Sequence, residues 1–207
     1  MRSIRVVILG DELLTGAGDP KGLGWLGRVQ ARLPKGEDVA FFPLAMVDES
    51  TGELLERWKS EGLKRFSPDS ENYLVVALSS KDIEAGTTIS RSRLNLASLL
   101  DDAQREGVKT FVVGPTPKGN PEYDAEVDHL NAGFYDVVKR RQVKYVDCFN
   151  PLKDHEGWLS EVTSHPRTLP GQVGYGLILL QSSLPRTLCR GRFGPFLESP
   201  ALCGGAG

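Results

Sequence analysis

Residues 4–16 read IRVVILGDELLTG: branched apolar side chains from Ile4 to Leu9, interrupted only by Arg5, lead into Gly10-Asp11-Glu12. A short run of this kind has the signature of a strand buried on both faces. A strand ending in a Gly-Asp step is a device by which several enzyme families present a catalytic residue. The residue presented here is Glu12, neither a serine nor a cysteine.

Four further runs share that character: Val39–Leu44, Tyr73–Leu78, Lys109–Val113 and Val143–Asp147. Helical spacing separates them. Leu26, Val29 and Leu33 form one stripe, in a helix beginning near Gly24. Leu96, Leu99, Leu100 and Ala103 form a second, with Gly107 where a helix stop belongs, and Val127, Leu130, Phe134, Val137 and Val138 a third. A shorter helix is expected over Glu53–Lys59, capped by Ser50 or Thr51. Gly174–Leu180 is expected to open a last one. Five strands alternating with helices predict a doubly wound α/β sheet, in which function sits beyond the carboxyl ends of the strands. The loops after Leu9, Leu44, Leu78, Val113 and Asp147 are therefore the ones to search. Residues 1–183 are expected to form one domain. Residues 184–207, without periodicity and rich in Gly and Pro, are expected to be an irregular tail.

The chain of 207 residues is 40% hydrophobic and 25% charged, with a net charge of −2. That balance offers no electrostatic reason to expect nucleic acid or an anionic membrane as a partner. No stretch nears the ~18 apolar residues of a membrane span, and the N-terminus lacks a leader pattern, so a cytoplasmic location is expected. Cys148, Cys189 and Cys203 lack the spacing of a disulfide framework or zinc site. No cofactor is implied. Of the three histidines, His129 and His155 sit in polar surroundings and are expected to be solvated. His165, in the late loop His165–Gly171, is the candidate base.

In order along the chain, these blocks resemble the SGNH-hydrolase superfamily, the GDSL esterases and lipases. GDELLTGAGDPKGLGWLGRV is similar to the Gly-Asp-Ser-Leu block, RSRLNLASLLDDAQREGVKTFVVGPTP to the third helix and fourth strand, and KYVDCFNPL and PGQVGYG to the fifth strand and last helix. The resemblance implies a flavodoxin-like three-layer α/β/α sandwich with a five-stranded parallel sheet. It also places substitutions at the residues that define the family. The nucleophilic serine falls on Glu12, the oxyanion glycine on Ala45, and the Gly-x-Asn-Asp block on Ser79-Ser80-Lys81-Asp82, so Lys81 replaces the asparagine. The Asp-x-x-His block has two registers. The gap-free one puts Pro166 and Leu169 at the acid and base positions. The other keeps His165 but needs an insertion.

Acyl transfer on such a scaffold needs a hydroxyl, an imidazole to deprotonate it and a carboxylate to orient that imidazole. The resemblance then implies a vestigial pocket of Asp11, Glu12, Ala45, Lys81, Asp82 and Leu169. Glu12 and Lys81 are expected to ion-pair in it, with Asp11 and Asp82 fixing loops. The leading expectation is a non-catalytic protein of this fold that keeps its crevice for a small acyl or glycosyl ligand. The alternative is an active carboxylic-ester hydrolase using His165 with Ser79, Ser80 or Ser50. Two minor readings remain. GDELLTG also resembles the start of molybdopterin-binding domains, and Asp11, Glu12 and Asp82 could share a Mg²⁺ ion.

Overall fold

Ile4, Val6 and Ile8 on one side of the first strand, and Val7 and Leu9 on the other, are all buried, because helices cover both faces of the sheet. The computed structural model describes residues 3–33 and 38–181. Its strands are β1 (Ser3–Gly10), β2 (Val39–Ala45), β3 (Ser70–Ala77), β4 (Lys109–Val113) and β5 (Lys144–Val146). They form one five-stranded sheet in the order β2-β1-β3-β4-β5, every neighbouring pair parallel. The helices are α1 (Gly24–Gln30), α2 (Thr51–Gly62), α3 (Lys81–Glu84), α4 (Ile89–Arg105), α5 (Pro121–Arg140), α6 (Glu156–Ser164) and α7 (Gln172–Gln181).

Two apolar clusters sandwich the sheet. One joins Ile4, Val6 and Ile8 to Trp25, Leu26 and Val29 of α1, Trp158 and Val162 of α6, and Tyr175, Ile178 and Leu179 of α7. The other joins Val7 and Leu9 to Leu54 and Trp58 of α2, the Leu96–Ala103 stripe of α4, and Leu130, Phe134, Val137 and Val138 of α5. The fold is thus the three-layer α/β/α sandwich that the alternating strands and helices imply. No described helix is long and apolar enough to cross a membrane.

Local chemistry sets the boundaries. Ser50 caps α2, its hydroxyl accepting from the Glu53 amide while the Glu53 side chain accepts from the Ser50 amide, a complete capping box. Asn120 caps α5 ahead of Pro121, and Gly107, at φ +69°, follows the end of α4. Asp19 accepts hydrogen bonds from the amides of Lys21, Leu23 and Gly24 and pairs with Arg28, which holds its carboxyl down at about 2. That cluster starts α1.

Beyond the unanticipated short helix α3 and a longer α2, the structure differs from the sequence reading in four elements. Strand β3 begins at Ser70, three residues earlier than the apolar run, because Ser70, Glu71 and Asn72 pair beside Ser3, Ile4 and Arg5 while remaining only part-buried. Strand β5 is shorter: the Val143 amide is spent on Val138, and the Asp147 side chain turns the chain by accepting from the amides of Phe149 and Asn150. Helix α1 stops at Gln30, short of Leu33, because the amides of Arg32 and Leu33 reach back only three residues. Helix α6 falls in a segment to which the sequence reading assigned no helix. The expected tail at 184–207, with Cys189 and Cys203, lies outside the described residues. Cys148 is a buried free thiol, pushed up to about 12 by burial.

Candidate functional site

Strand β1 delivers Gly10 beside Ala77, where any Cβ would lie 2.7 Å from the Ala77 carbonyl oxygen. The chain then folds into a 3-10 turn, Glu12–Thr15. Asp11 caps it, accepting from the Leu13 amide at 3.0 Å, and Gly16 closes it at φ +76°. Burial, reinforced by the neighbouring Glu12 charge and opposed by the Leu13 hydrogen bond, raises the Asp11 carboxyl to about 6.

Glu12 is the first residue of that turn and its side chain is 13% exposed. One carboxylate oxygen accepts from Arg167 Nη2 at 2.7 Å, and the other from the Asp48 amide at 3.1 Å. The ion pair with Lys81 expected from the sequence is not formed. Lys81 Nζ instead lies 3.4 Å from Asp48 Oδ1 and 2.6 Å from Glu84 Oε2. The Asp48 backbone and side chain therefore stand between the two expected partners, and Arg167 supplies the charge that Glu12 needs. Asp48 and Thr168 adopt left-handed backbone, at φ +58° and +48°. For a β-branched threonine this is an outlier, and such strain gathers at functional or over-determined sites.

The other candidates are placed as follows. Ala45 ends β2 opposite Gly10, and the next amide, Met46, donates to the Gly10 carbonyl at 2.9 Å. Asp82 is buried and accepts from the Thr51 amide at 3.0 Å and the Thr51 hydroxyl at 2.7 Å, pinning the start of α2. With both Asp82 oxygens so used, Asp11, Glu12 and Asp82 do not converge. No cluster of three potential metal ligands occurs among the described residues. Leu169 is buried against Gly18.

The serine candidates carry structural hydrogen bonds. Ser79 donates to the Glu49 carbonyl at 2.7 Å and accepts from the Lys81 amide at 3.1 Å. Ser80 is buried with the Tyr123 hydroxyl 3.0 Å from its own. Ser50 is the α2 cap. His165 terminates α6, not a strand, and its Nδ1 accepts from the Arg167 amide at 3.1 Å. Among the described residues no serine hydroxyl is hydrogen-bonded to a histidine. His129 is exposed on α5, and His155 caps α6 by accepting from the Gly157 amide.

A model of the GDSL-like lipase/acylhydrolase family matches residues 8–177, from inside β1 to inside α7. The chain belongs to that family. No curated protein matches it by sequence. Among solved structures it resembles a lipase/acylhydrolase from Enterococcus faecalis, at 19% identity and a TM-score of 0.71, covering 91% of this chain and 95% of that one. It also resembles a psychrotrophic esterase from Pseudoalteromonas sp., at 17% identity and a TM-score of 0.65, covering 89% of this chain and 98% of that one. An acetyl xylan esterase aligns at 15% identity and 0.70, covering 89% of this chain and 100% of its own. At these identities the likeness concerns the fold.

Two residues of this GDSL-like chain lie outside the sequence reading. Arg167, between the two registers weighed for the base, is the side chain that reaches position 12. Its one legible signal is being the only cation between His165 and Gly171. Glu49, in the loop after β2, is 1% exposed and held bidentately by Arg57, which also donates to the Leu44 carbonyl at 2.7 Å. Further along the carboxyl edge, after β4 and β5, an open groove of about 470 Å³ is lined by Pro121, Asp128, Phe149, Lys153 and Leu159 among others. That is the size range of small-ligand sites.

Proposed function

We propose that this GDSL-family chain is a non-catalytic member that keeps the crevice at the strand ends as a binding site for a small acyl or glycosyl ligand. One observation carries the reading: both oxygens of Glu12, at the position aligned with the family's nucleophile, are occupied by Arg167 and the Asp48 amide. A carboxylate held this way has no free hydroxyl to lend, and the loop that would bring a base presents a guanidinium, which has hydrogen-bond donors and no acceptor. The tied hydroxyls of Ser50, Ser79 and Ser80 argue against the reading with His165 as base. A cytoplasmic setting belongs to the same proposal.

The test is hydrolysis of a short p-nitrophenyl ester with fluorophosphonate labelling of the intact chain. The expected outcome is no turnover above that of a denatured control and no labelled serine. Stoichiometric labelling of Ser50, Ser79 or Ser80, abolished by His165→Ala, would establish the active alternative instead. Glu12→Ser alone is expected to remain inactive, because it supplies a hydroxyl without a base.

The Asp11 carboxyl supplies a prediction of its own. Its folded value, about 6, exceeds the ordinary carboxylate value of 3.8. A raised acid imposes no penalty below the unfolded value, and one that grows as pH rises through the folded value. Asp11→Asn keeps an acceptor for the Leu13 amide and removes the charge. The variant should be more stable than the parent by about 1–2 kcal/mol at pH 7.5, with the difference vanishing near pH 4. Urea midpoints at the two pH values measure it. An Asn variant no more stable than the parent at pH 7.5 would overturn the prediction.

A further inference from the structure

Glu12 is one link in a continuous chain of polar contacts across the carboxyl edge. Arg167 donates to Glu12 at 2.7 Å, and Glu12 accepts from the Asp48 amide at 3.1 Å. Asp48 meets Lys81 at 3.4 Å, Lys81 meets Glu84 at 2.6 Å, and the Tyr123 hydroxyl lies 3.1 Å from Glu84. Those residues come from the turn after β1, the loop after β2, helix α3 after β3, the start of α5, and the loop between α6 and α7. We propose that this chain is a clasp: the loops at 46–50 and 165–170 open and close together over the crevice, with the two-sided Glu12 carboxylate as the catch.

The coupling follows from geometry. Glu12 divides its two oxygens between two loops that are distant in sequence, so releasing it releases both. Each loop also carries one residue in left-handed backbone at or beside its attachment, Asp48, a residue type that tolerates it, and Thr168, a β-branched one that does not. Strained backbone persists only while surrounding contacts hold it. Two ion pairs of the chain are open to screening by salt: Arg167–Glu12, with Arg167 53% exposed, and Asp48–Lys81, with Asp48 58% exposed. Because one carboxylate closes both loops, losing either contact weakens the hold on the other, as in closures that switch between two arrangements. Met46 and Val47, 40% and 58% exposed, precede Asp48 and would move with the loop.

Amide hydrogen exchange on the full chain tests the clasp, comparing the parent with Glu12→Gln and Arg167→Met. Both variants should accelerate exchange in 46–50 and in 165–170 by about threefold or more, with the amides of β1 and β3 unchanged. The decisive case is Arg167→Met acting on 46–50, which Arg167 does not touch in the described contacts. Acceleration confined to 165–170 would overturn the proposal, and so would a uniform acceleration that includes β1 and β3. Should either variant fail to fold, the parent decides alone. Raising salt from about 0.05 to about 0.5 M should quicken both loops in parallel, and an unchanged rate in either overturns the coupling. The clasp does not depend on the absence of catalysis. Ester turnover by the parent would refute the function proposed above and leave the exchange result standing.

Discussion

Arg57→Met is expected to destabilise the fold by about 3–5 kcal/mol, the range for breaking a buried ion pair from one side. Glu49 is 1% exposed, and its two oxygens are both held by the Arg57 guanidinium, whose remaining donor reach satisfies the Leu44 carbonyl at 2.7 Å. Methionine fills comparable volume but leaves a buried carboxylate without its partner and removes a donor from the Leu44 carbonyl. The Glu49→Met, Arg57→Met double variant removes the charge on both sides and is expected to recover most of the loss, since an apolar pair of similar volume often matches a buried salt bridge. Urea denaturation with an unchanged slope measures each variant. A single variant costing less than about 1 kcal/mol would place the pair with ordinary surface bridges. The consequence reaches the crevice, because the Glu49 carbonyl accepts from Ser79 and the preceding residue, Asp48, supplies the amide that holds Glu12.

Glu161→Ala is expected to cost about 2–4 kcal/mol, through the loss of charge-assisted hydrogen bonds to otherwise orphaned helix amides. One oxygen of Glu161 accepts from the amides of Gly171 at 2.8 Å and Gly174 at 2.7 Å, and the other from Val173 at 3.0 Å. These are donors at the start of α7, where a carboxylate also complements the helix dipole. The absence of side chains at 171 and 174 belongs to the same arrangement. A Cβ at Gly171 would stand 2.8 Å from a Glu161 oxygen, and one at Gly174 would stand 3.0 Å from the other. Because α7 contributes Tyr175, Ile178 and Leu179 to the core, loosening its start should lower the melting temperature of the whole domain. Glu161→Gln, which keeps one acceptor oxygen, should recover roughly half of the loss. An alanine variant as stable as the parent would show that packing alone seats α7.

Much of the architecture was legible because two-sided burial writes itself into composition. Strands covered on both faces read as continuous apolar runs, and α4 and α5 are long enough for a period of 3.6 to repeat several times. Helix α6 escaped for the opposite reason. In EGWLSEVTS only Trp158 and Val162 are fully buried, a single i, i+4 pair that a nine-residue segment cannot distinguish from chance. Missing α6 also hid Glu161, which lies on that helix and caps another ten to thirteen residues away.

What the sequence determined by itself was the five strands and the longer helices between them, the family, and the place of Glu12 in the turn after β1. What only the tertiary structure decided was the partner of that carboxylate. Arg167 is 155 positions from Glu12. Both registers of the last block count residues along the chain, and neither pointed to Arg167, because the left-handed turn at Thr168 and the anchoring of α7 by Glu161 determine which side chain faces the crevice. Apolar periodicity is a local property, repeated and therefore redundant. A single long-range ion pair is specified once, by how two loops meet, and has no pattern to read.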